Sequence, residues 1–452
     1  MGSRRGRHAK PPDQVYRSSF FLLASAAVTA GLGFLFWVLV ARFYTPAQVG
    51  VATSLISAIN LIAYLGLFGL NSTLIRFPAP GAARNGQISQ AILFVTAASC
   101  TVAAVYLLGL PLYGHKLLFV RDQLPLAAAF VVFSACAAVN QLTDSVFISA
   151  RVPQYNTLVD GVIQGLVKLA LPAALTGLGA VGIVGASSGG FAVAAAVSLL
   201  LMRRTLGFRF DLRSRGTRLR ENAGFTMANY ASSLLNLAPL MATPLIVLQR
   251  LGEAAAGYYY VAFQIANLLN AVSFSVGEAV FAEASHDMSR FPALLRRSAA
   301  IMAGTQLPAA AVVALGGGLV LRLFGATYAA HARTLLVVLA VGALAVALNT
   351  WASFMIKVAN LMGALVLSNV VYAAVIIGCG YAWAPRGLVW LGWAWCAGNT
   401  ASGLVAAVGG LVGRRRQRRA AAARRAAEQA ERLPRLPGWA AHPTEQRWEA
   451  RA

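Results

Sequence analysis

The sequence predicts an all-α polytopic membrane protein, with about twelve transmembrane helices in two parallel six-helix lobes. Three observations predict it. Hydrophobic residues make up 58% of the 452 residues, and charged residues only 12%. The apolar residues run in stretches long enough to cross the hydrocarbon, which takes roughly 20 residues of helix. The net charge of +24 is sorted by loop, with Arg and Lys crowding into every second connection, as insertion in a bilayer demands.

The candidate spans are 19–41, 50–71, 87–110, 125–148, 156–176, 180–202, 224–248, 254–281, 299–322, 334–355, 361–382 and 388–412. Backbone groups cannot stay unpaired in lipid, so these segments are helices. The alternation of a membrane β-barrel is absent. The first apolar run follows Arg4, Arg5, Arg7, Lys10 and Arg17, like the start of a signal peptide. It is too long for one, and no small-residue cleavage site precedes a soluble domain, so the sequence predicts a retained helix. Cys100, Cys136, Cys379 and Cys396 all fall within spans without ligand spacing, which predicts packing residues and neither a disulfide framework nor a metal site.

With the N-terminus inside, 30 of the 38 Lys and Arg residues fall on the cytoplasmic side, seven fall outside, and Lys168 lies within a span. The bias holds loop by loop and puts both termini in the cytoplasm; Ala- and Arg-rich usage suggests a high-GC bacterium, by composition only, whose cytoplasmic membrane the chain would cross. The domains follow: a basic N-terminus over 1–18, a first lobe over 19–202, an Arg-rich linker over 203–223, a second lobe over 224–412 and a basic tail over 413–452. The Ala/Arg run of the tail favours helix. It serves as an orientation signal, or draws the chain to anionic membrane lipids at around 1 kcal/mol per basic residue near the surface. No recognition module with interleaved aromatics accompanies it, so nucleic acid is not the expected partner.

Both sets of six spans begin inside, which predicts parallel repeats related by an axis along the membrane normal. The windows 41–62 and 248–269 support this. With Gly50 aligned on Gly257, Asn60 meets Asn267 and Leu61 meets Leu268, while Arg42 and Arg250 come within one residue of register. The same windows carry a family resemblance. Ala41-Arg42-Phe43-Tyr44-Thr45-Pro46 followed by Gly50 resembles the first hairpin of the polysaccharide-transporting flippases, in the multidrug/oligosaccharidyl-lipid/polysaccharide (MOP, MATE-like) exporter superfamily. Leu251-Gly252, Gly257-Tyr258-Tyr259 and Ala262 resemble the matching hairpin of their second half. The resemblance spans about residues 15–412 and leaves the Arg-rich tail unexplained. It implies two lobes around a cavity, alternating access, and a lipid-linked glycan as substrate.

An ionisable group at membrane depth costs about 2.5–3.5 kcal/mol or more, so it needs a partner or a wet cavity. Asp160, Gln164 and Lys168 follow at spacings of four on the fifth span, which puts them on one face. They read either as a neutralised structural pair bridged by Gln164 or water, or as contacts for substrate or ion. Asn140 and Asp144 share a face of the fourth span, and Arg151 in the next connection is a natural partner for either carboxylate. A carboxyl group taken out of water favours its neutral form, which makes this pair candidates for proton or cation coupling. Asn60, Asn267 and Asn270 complete the cavity candidates. Under the repeat register, Asn71 and Arg76 correspond to Glu278 and Glu283. These form a gate between the lobes or simply face cytoplasmic water.

A pyrophosphate needs charge-assisted donors, and Arg76, Arg151, Lys168 and Lys357 are the cavity-accessible candidates. Arg42, Arg250 and Arg322 lie near outer ends, where long basic side chains snorkel to headgroups. Trp37, Trp351, Trp383, Trp390, Trp393 and Trp395 fall near span ends and read as interfacial anchors, with sugar stacking open for one or two of them. The glycine runs 185–190 and 316–318 lack the Lys-Ser/Thr of a phosphate loop and suit close helix approach. His8, His115, His286, His331 and His442 are scattered, so neither catalysis nor a cofactor is expected. Two other readings stay open: a MATE-like drug or cation exporter with a carboxylate-rich cavity, and a non-transporting scaffold for envelope assembly acting through the tail.

Overall fold

The computed structural model describes residues 30–432 apart from 82, 212–222, 287–290 and 360. The predicted N-terminus 1–18, the first part of the first span, most of the Arg-rich linker and the tail beyond 432 lie outside the described residues. Among the described residues, 11 helices are long and apolar enough to cross a membrane, and the shorter apolar helix Ala30–Phe43 precedes them. In chain order these are α1 (Ala30–Phe43), α2 (Pro46–Leu67), α3 (Ala83–Tyr113), α4 (Leu124–Ser149), α5 (Gln154–Ala174) and α6 (Ala180–Thr205). The second set is α7 (Ala223–Leu251), α8 (Glu253–His286), α9 (Phe291–Phe324), α10 (Ala326–Val358), α11 (Met362–Trp383) and α12 (Leu388–Arg432). The protein is a multi-pass membrane protein. Its outward helix faces carry large apolar side chains, with Leu112 87% and Leu315 82% exposed. A water-soluble surface would not hold so much of this material.

The elements start and stop for local reasons. At α2, Thr45 and Gln48 form a reciprocal capping box, with Pro46 at the first helical position. That arrangement satisfies backbone donors that the first turn would otherwise leave unpaired. The helix then ends earlier than the predicted 71, because Phe68 (φ 45°) and Gly69 (φ 76°) both turn left-handed. A short helix, Leu70–Arg76, restarts beyond the break. Its counterpart α8 runs on to His286. The register that set Asn71 and Arg76 opposite Glu278 and Glu283 assumed two unbroken helices, and it fails past Leu67.

Two further departures matter. Helix α5 opens into a wide π-type segment over Thr157–Ile163, which turns Asp160 off the simple four-residue stripe with Gln164 and Lys168. Helix α12 does not stop at 412; it continues for 20 residues through the Ala/Arg run to Arg432. At 1.5 Å per residue that projects about 30 Å beyond the predicted span end.

Helix α2 sits at the seam between the lobes and packs on both α7 and α8, while α10 is the centre of the second lobe against α8, α9 and α12. At the seam, a Cβ added to Gly50 would run into the Glu253 carbonyl oxygen and the Gly257 nitrogen. One added to Gly257 would run into the Pro46 carbonyl. The two glycines aligned by the repeat therefore meet each other. Nearby, Arg42 donates from Nε to the Leu323 carbonyl at 2.7 Å and from Nη2 to the Arg322 carbonyl at 3.1 Å. Trp37 packs on Tyr260 with ring centroids 4.5 Å apart. Arg42 and Trp37, expected at the headgroups, instead fasten one end of the first lobe to the second.

A polar chamber in the second lobe and a charged network in the first

The two lobes hold polar residues of different kinds. In the first, Asn140 on α4 donates from Nδ2 to Asp160 Oδ1 at 2.9 Å. Asp144, one turn along, lies beside Asp160, and Asn156 donates to its backbone carbonyl at 3.2 Å. Lys168 donates to Gln164 Oε1 at 3.0 Å and lies 4.5 Å from the Phe191 ring centroid. Gly190 on α6 makes the room: a Cβ there would sit 3.1 Å from two Lys168 carbons and 3.2 Å from Gln164 Cγ. The expected grouping of Asn140, Asp144, Asp160, Gln164 and Lys168 is thus brought together across α4, α5 and α6. The expected partner Arg151 is not part of it. It sits exposed in the α4–α5 connection with a left-handed φ of 62°, and Asp160 takes its hydrogen bond from Asn140 instead.

The second lobe encloses a chamber of about 470 Å³ lined from α7, α8, α10, α11 and α12, with Tyr64 of α2 contributing from the first lobe. Apart from Lys357, its polar lining among the described residues is amide and hydroxyl. Asn236, Asn267, Asn270, Asn349, Asn369 and Asn399 all reach it. Part of this set ties helices together. Asn369 donates to the Ser232 hydroxyl at 2.9 Å, joining α11 to α7. Asn349 donates to Asn399 Oδ1 at 3.2 Å and accepts from Ser402 at 2.9 Å, joining α10 to α12. Trp395 and Tyr372 lie buried in the wall, so Trp395 is no interfacial anchor. Trp390 and Trp393 are exposed, as anchors are.

The other sequence candidates distribute unevenly. Asn267, Asn270 and Lys357 line the chamber, with Lys357 Nζ 4.9 Å from the Phe354 ring centroid. Asn60 does not reach it, and donates back to the Ile56 carbonyl at 3.0 Å within its own helix. Arg76 is exposed at the end of its short helix, 5.8 Å from the Phe77 ring centroid. Glu278 and Glu283 fall on α8, but their side chains lie outside the described residues, and so does the gate they were expected to form with Arg76. Sequence reasoning missed Asn236, Asn349, Asn369 and Asn399. The available signal was at least one Asn on every spanning helix of the second half but α9. Among the described residues, no three His, Cys, Asp or Glu side chains converge as metal ligands would.

Residues 39–333 match the sequence model of a family described as polysaccharide biosynthesis protein. No curated protein matches the sequence. Solved structures do resemble the fold. An inward-facing multidrug resistance MATE family transporter of the MOP superfamily superposes with a TM-score of 0.64 at 16% identity, covering 86% of this chain and 94% of that one. The lipid II flippase MurJ, in an inward closed conformation, gives 0.69 at 11% identity, covering 86% of each chain. A MOP superfamily transporter from Pyrococcus furiosus, for which a reversed polarity of the binding pocket suggests a different function, gives 0.58 at 14% identity over 87% and 92%. At such identities the likeness is one of fold.

Proposed function

The chain belongs to the polysaccharide biosynthesis protein family, and from that premise we propose that it is a secondary transporter. Its cargo is a polyprenyl-pyrophosphate-linked oligosaccharide, a cell-envelope or exopolysaccharide precursor, which it flips across the bacterial cytoplasmic membrane by alternating access. The observation that carries the reading is the seam. The lobes are fastened through Gly50, Gly257 and Arg42 at one end, while the chamber bordered by both lobes lies toward the opposite ends of α2, α7 and α10. With the termini in the cytoplasm, as the charge bias favours, that arrangement is closed outside and loads from inside.

The residues divide the work. Arg76, Arg151 and Lys357 lie toward the cytoplasmic ends, where charge-assisted bonds would receive the pyrophosphate, and Lys168 lies deeper. Asp144 and Asp160 lie side by side, and that is where coupling to a proton or a cation would act. A cation exporter would need carboxylates in the chamber. Among the described residues the lining holds Lys357 and no carboxylate, which supports a glycan over a cation.

Deleting the gene from a producing cell tests the reading. Lipid-linked oligosaccharide should accumulate in the inner leaflet and outward glycan display should fall. Unchanged display refutes transport of this cargo.

A further inference from the structure

We propose that the second-lobe chamber is a subsite for uncharged sugars, read by the amides of Asn236, Asn267 and Asn270, so that the chain selects neutral glycan segments over uronate-bearing ones. The inference rests on the transport reading for its cargo, and on the chamber's own chemistry for its specificity.

Asn349, Asn369 and Asn399 are engaged in holding helices. The remaining three are not. Asn236 is exposed on the chamber wall and makes no hydrogen bond among the described residues. Asn270 is 4% exposed; its amide nitrogen donates to Asn267 Oδ1 at 3.4 Å, while its own Oδ1 is buried without a partner. A buried acceptor left unmatched is costly in a folded protein, and a turn of the Asn270 amide toward the chamber would give it a ligand donor.

A carboxamide presents two donors and an acceptor with two lone pairs. Sugar hydroxyl and N-acetyl groups both donate and accept, and are its natural complement. The aromatic faces of Tyr64, Tyr372 and Trp395 give the apolar side of a sugar ring a surface to lie against. A uronate would need cations on the wall, and among the described residues the lining offers Lys357 alone, beside Phe354 at the cytoplasmic end of α10, where the carrier phosphate would be. A volume of about 470 Å³ falls within the range of small-ligand pockets, roughly 300–1,000 Å³. It suits a few sugar units rather than a polymer.

The test uses the full chain in lipid nanodiscs and isothermal titration with three probes: N,N′-diacetylchitobiose, digalacturonate and undecaprenyl pyrophosphate. The neutral disaccharide should bind at least tenfold tighter than the uronate. Asn236→Leu with Asn267→Leu should weaken the neutral disaccharide at least tenfold and leave the pyrophosphate within twofold, and Lys357→Gln should do the reverse. Should the double variant not fold, Asn236→Asp serves instead. It keeps an acceptor for hydroxyls and should hold the neutral disaccharide while rejecting the uronate further. Equal affinities for the two disaccharides, or variants that fold and bind as the parent does, overturn the proposal. Translocation in proteoliposomes separates the two readings. Neutral-disaccharide binding without translocation of any polyprenyl-pyrophosphate glycan refutes the transporter and supports the subsite. Translocation of neutral and uronate-bearing cargo at equal rates refutes the subsite and leaves the transporter.

Discussion

Gly257→Ala adds a single carbon, and the structure says where it goes: into the backbone carbonyl of Pro46 across the lobe seam. A backbone atom inside a capped helix start cannot swing aside as a side chain would. The helices α2 and α8 must separate by roughly 1 Å to restore carbon contact distances of about 3.5 Å. Overpacking a close contact costs about 1–3 kcal/mol. In alternating access the seam is made in one state and broken in the other, so the whole penalty falls on the state with this end closed. A bias of that size shifts the balance between states by about 5- to 150-fold. Phe43 and Ala330 are exposed near this end. Nitroxide labels there, in a background with the four native cysteines replaced, report the opening by double electron–electron resonance. The parent should give one short distance, and Gly257→Ala should move population to a longer one. Gly50→Ala should do the same, because its Cβ meets Glu253 from the other side. A distance distribution unchanged in both variants refutes the argument that this crossing holds the lobes together.

Other outcomes follow from the same geometry. Arg42→Ala removes two donated bonds to carbonyls at the end of α9; the site is exposed, so the loss should be about 1 kcal/mol or less, read as a thermal-shift change of about 1 °C or less. Arg42→Lys, a point donor rather than a fork, should recover part of it. Asn140→Leu strips Asp160 of its hydrogen-bond donor within the bilayer and should destabilise by about 1–3 kcal/mol, measured by thermal unfolding in detergent, while Asn140→Ser should recover part of the loss. Gly190→Val forces Lys168 and Gln164 off their present positions; transport should fall with membrane insertion intact, and an unaffected rate would remove Lys168 from the cycle. Deleting 414–452 should leave translocation standing; complete loss with normal insertion would favour the scaffold reading.

Much of the architecture was legible because the bilayer imposes it. A span must be long and apolar, and its flanking charge must be sorted, so helix number and order follow from the sequence. What failed to read was local backbone geometry. Nothing in Leu67-Phe68-Gly69 announces that Phe68 as well as Gly69 turns left-handed, and the break cost the Arg76–Glu283 equivalence. The π-type segment around Asp160 is equally silent. The first-lobe network was found because charge in a span is conspicuous. The chamber was half missed because Asn236, Asn349, Asn369 and Asn399 are single neutral residues on separate helices, and a lone Asn stands out only once its neighbours in space are known.

The repeat constrains the two halves most tightly on the axis between them. There each element packs against its own counterpart, so a close approach needs a small residue on both sides at once. Gly50 and Gly257 satisfy that condition together, and a change in either breaks a contact that belongs to both. Away from the axis no such condition applies, and equivalent helices can diverge in chemistry while keeping their shape. The first lobe carries charges that must satisfy one another to enter the membrane at all, as Asn140 does for Asp160 and Gln164 for Lys168. That network commits Asn140, Asp160, Gln164 and Lys168 to one another, while Asp144 Oδ1, Asn156 Oδ1 and Gln164 Nε2 stay buried without a partner among the described residues. The second lobe carries neutral amides, which are cheaper to insert and can be left facing a wet chamber. Moving the charged set into the second lobe would therefore sacrifice the very groups that can meet a sugar, whereas the seam would be indifferent to the exchange.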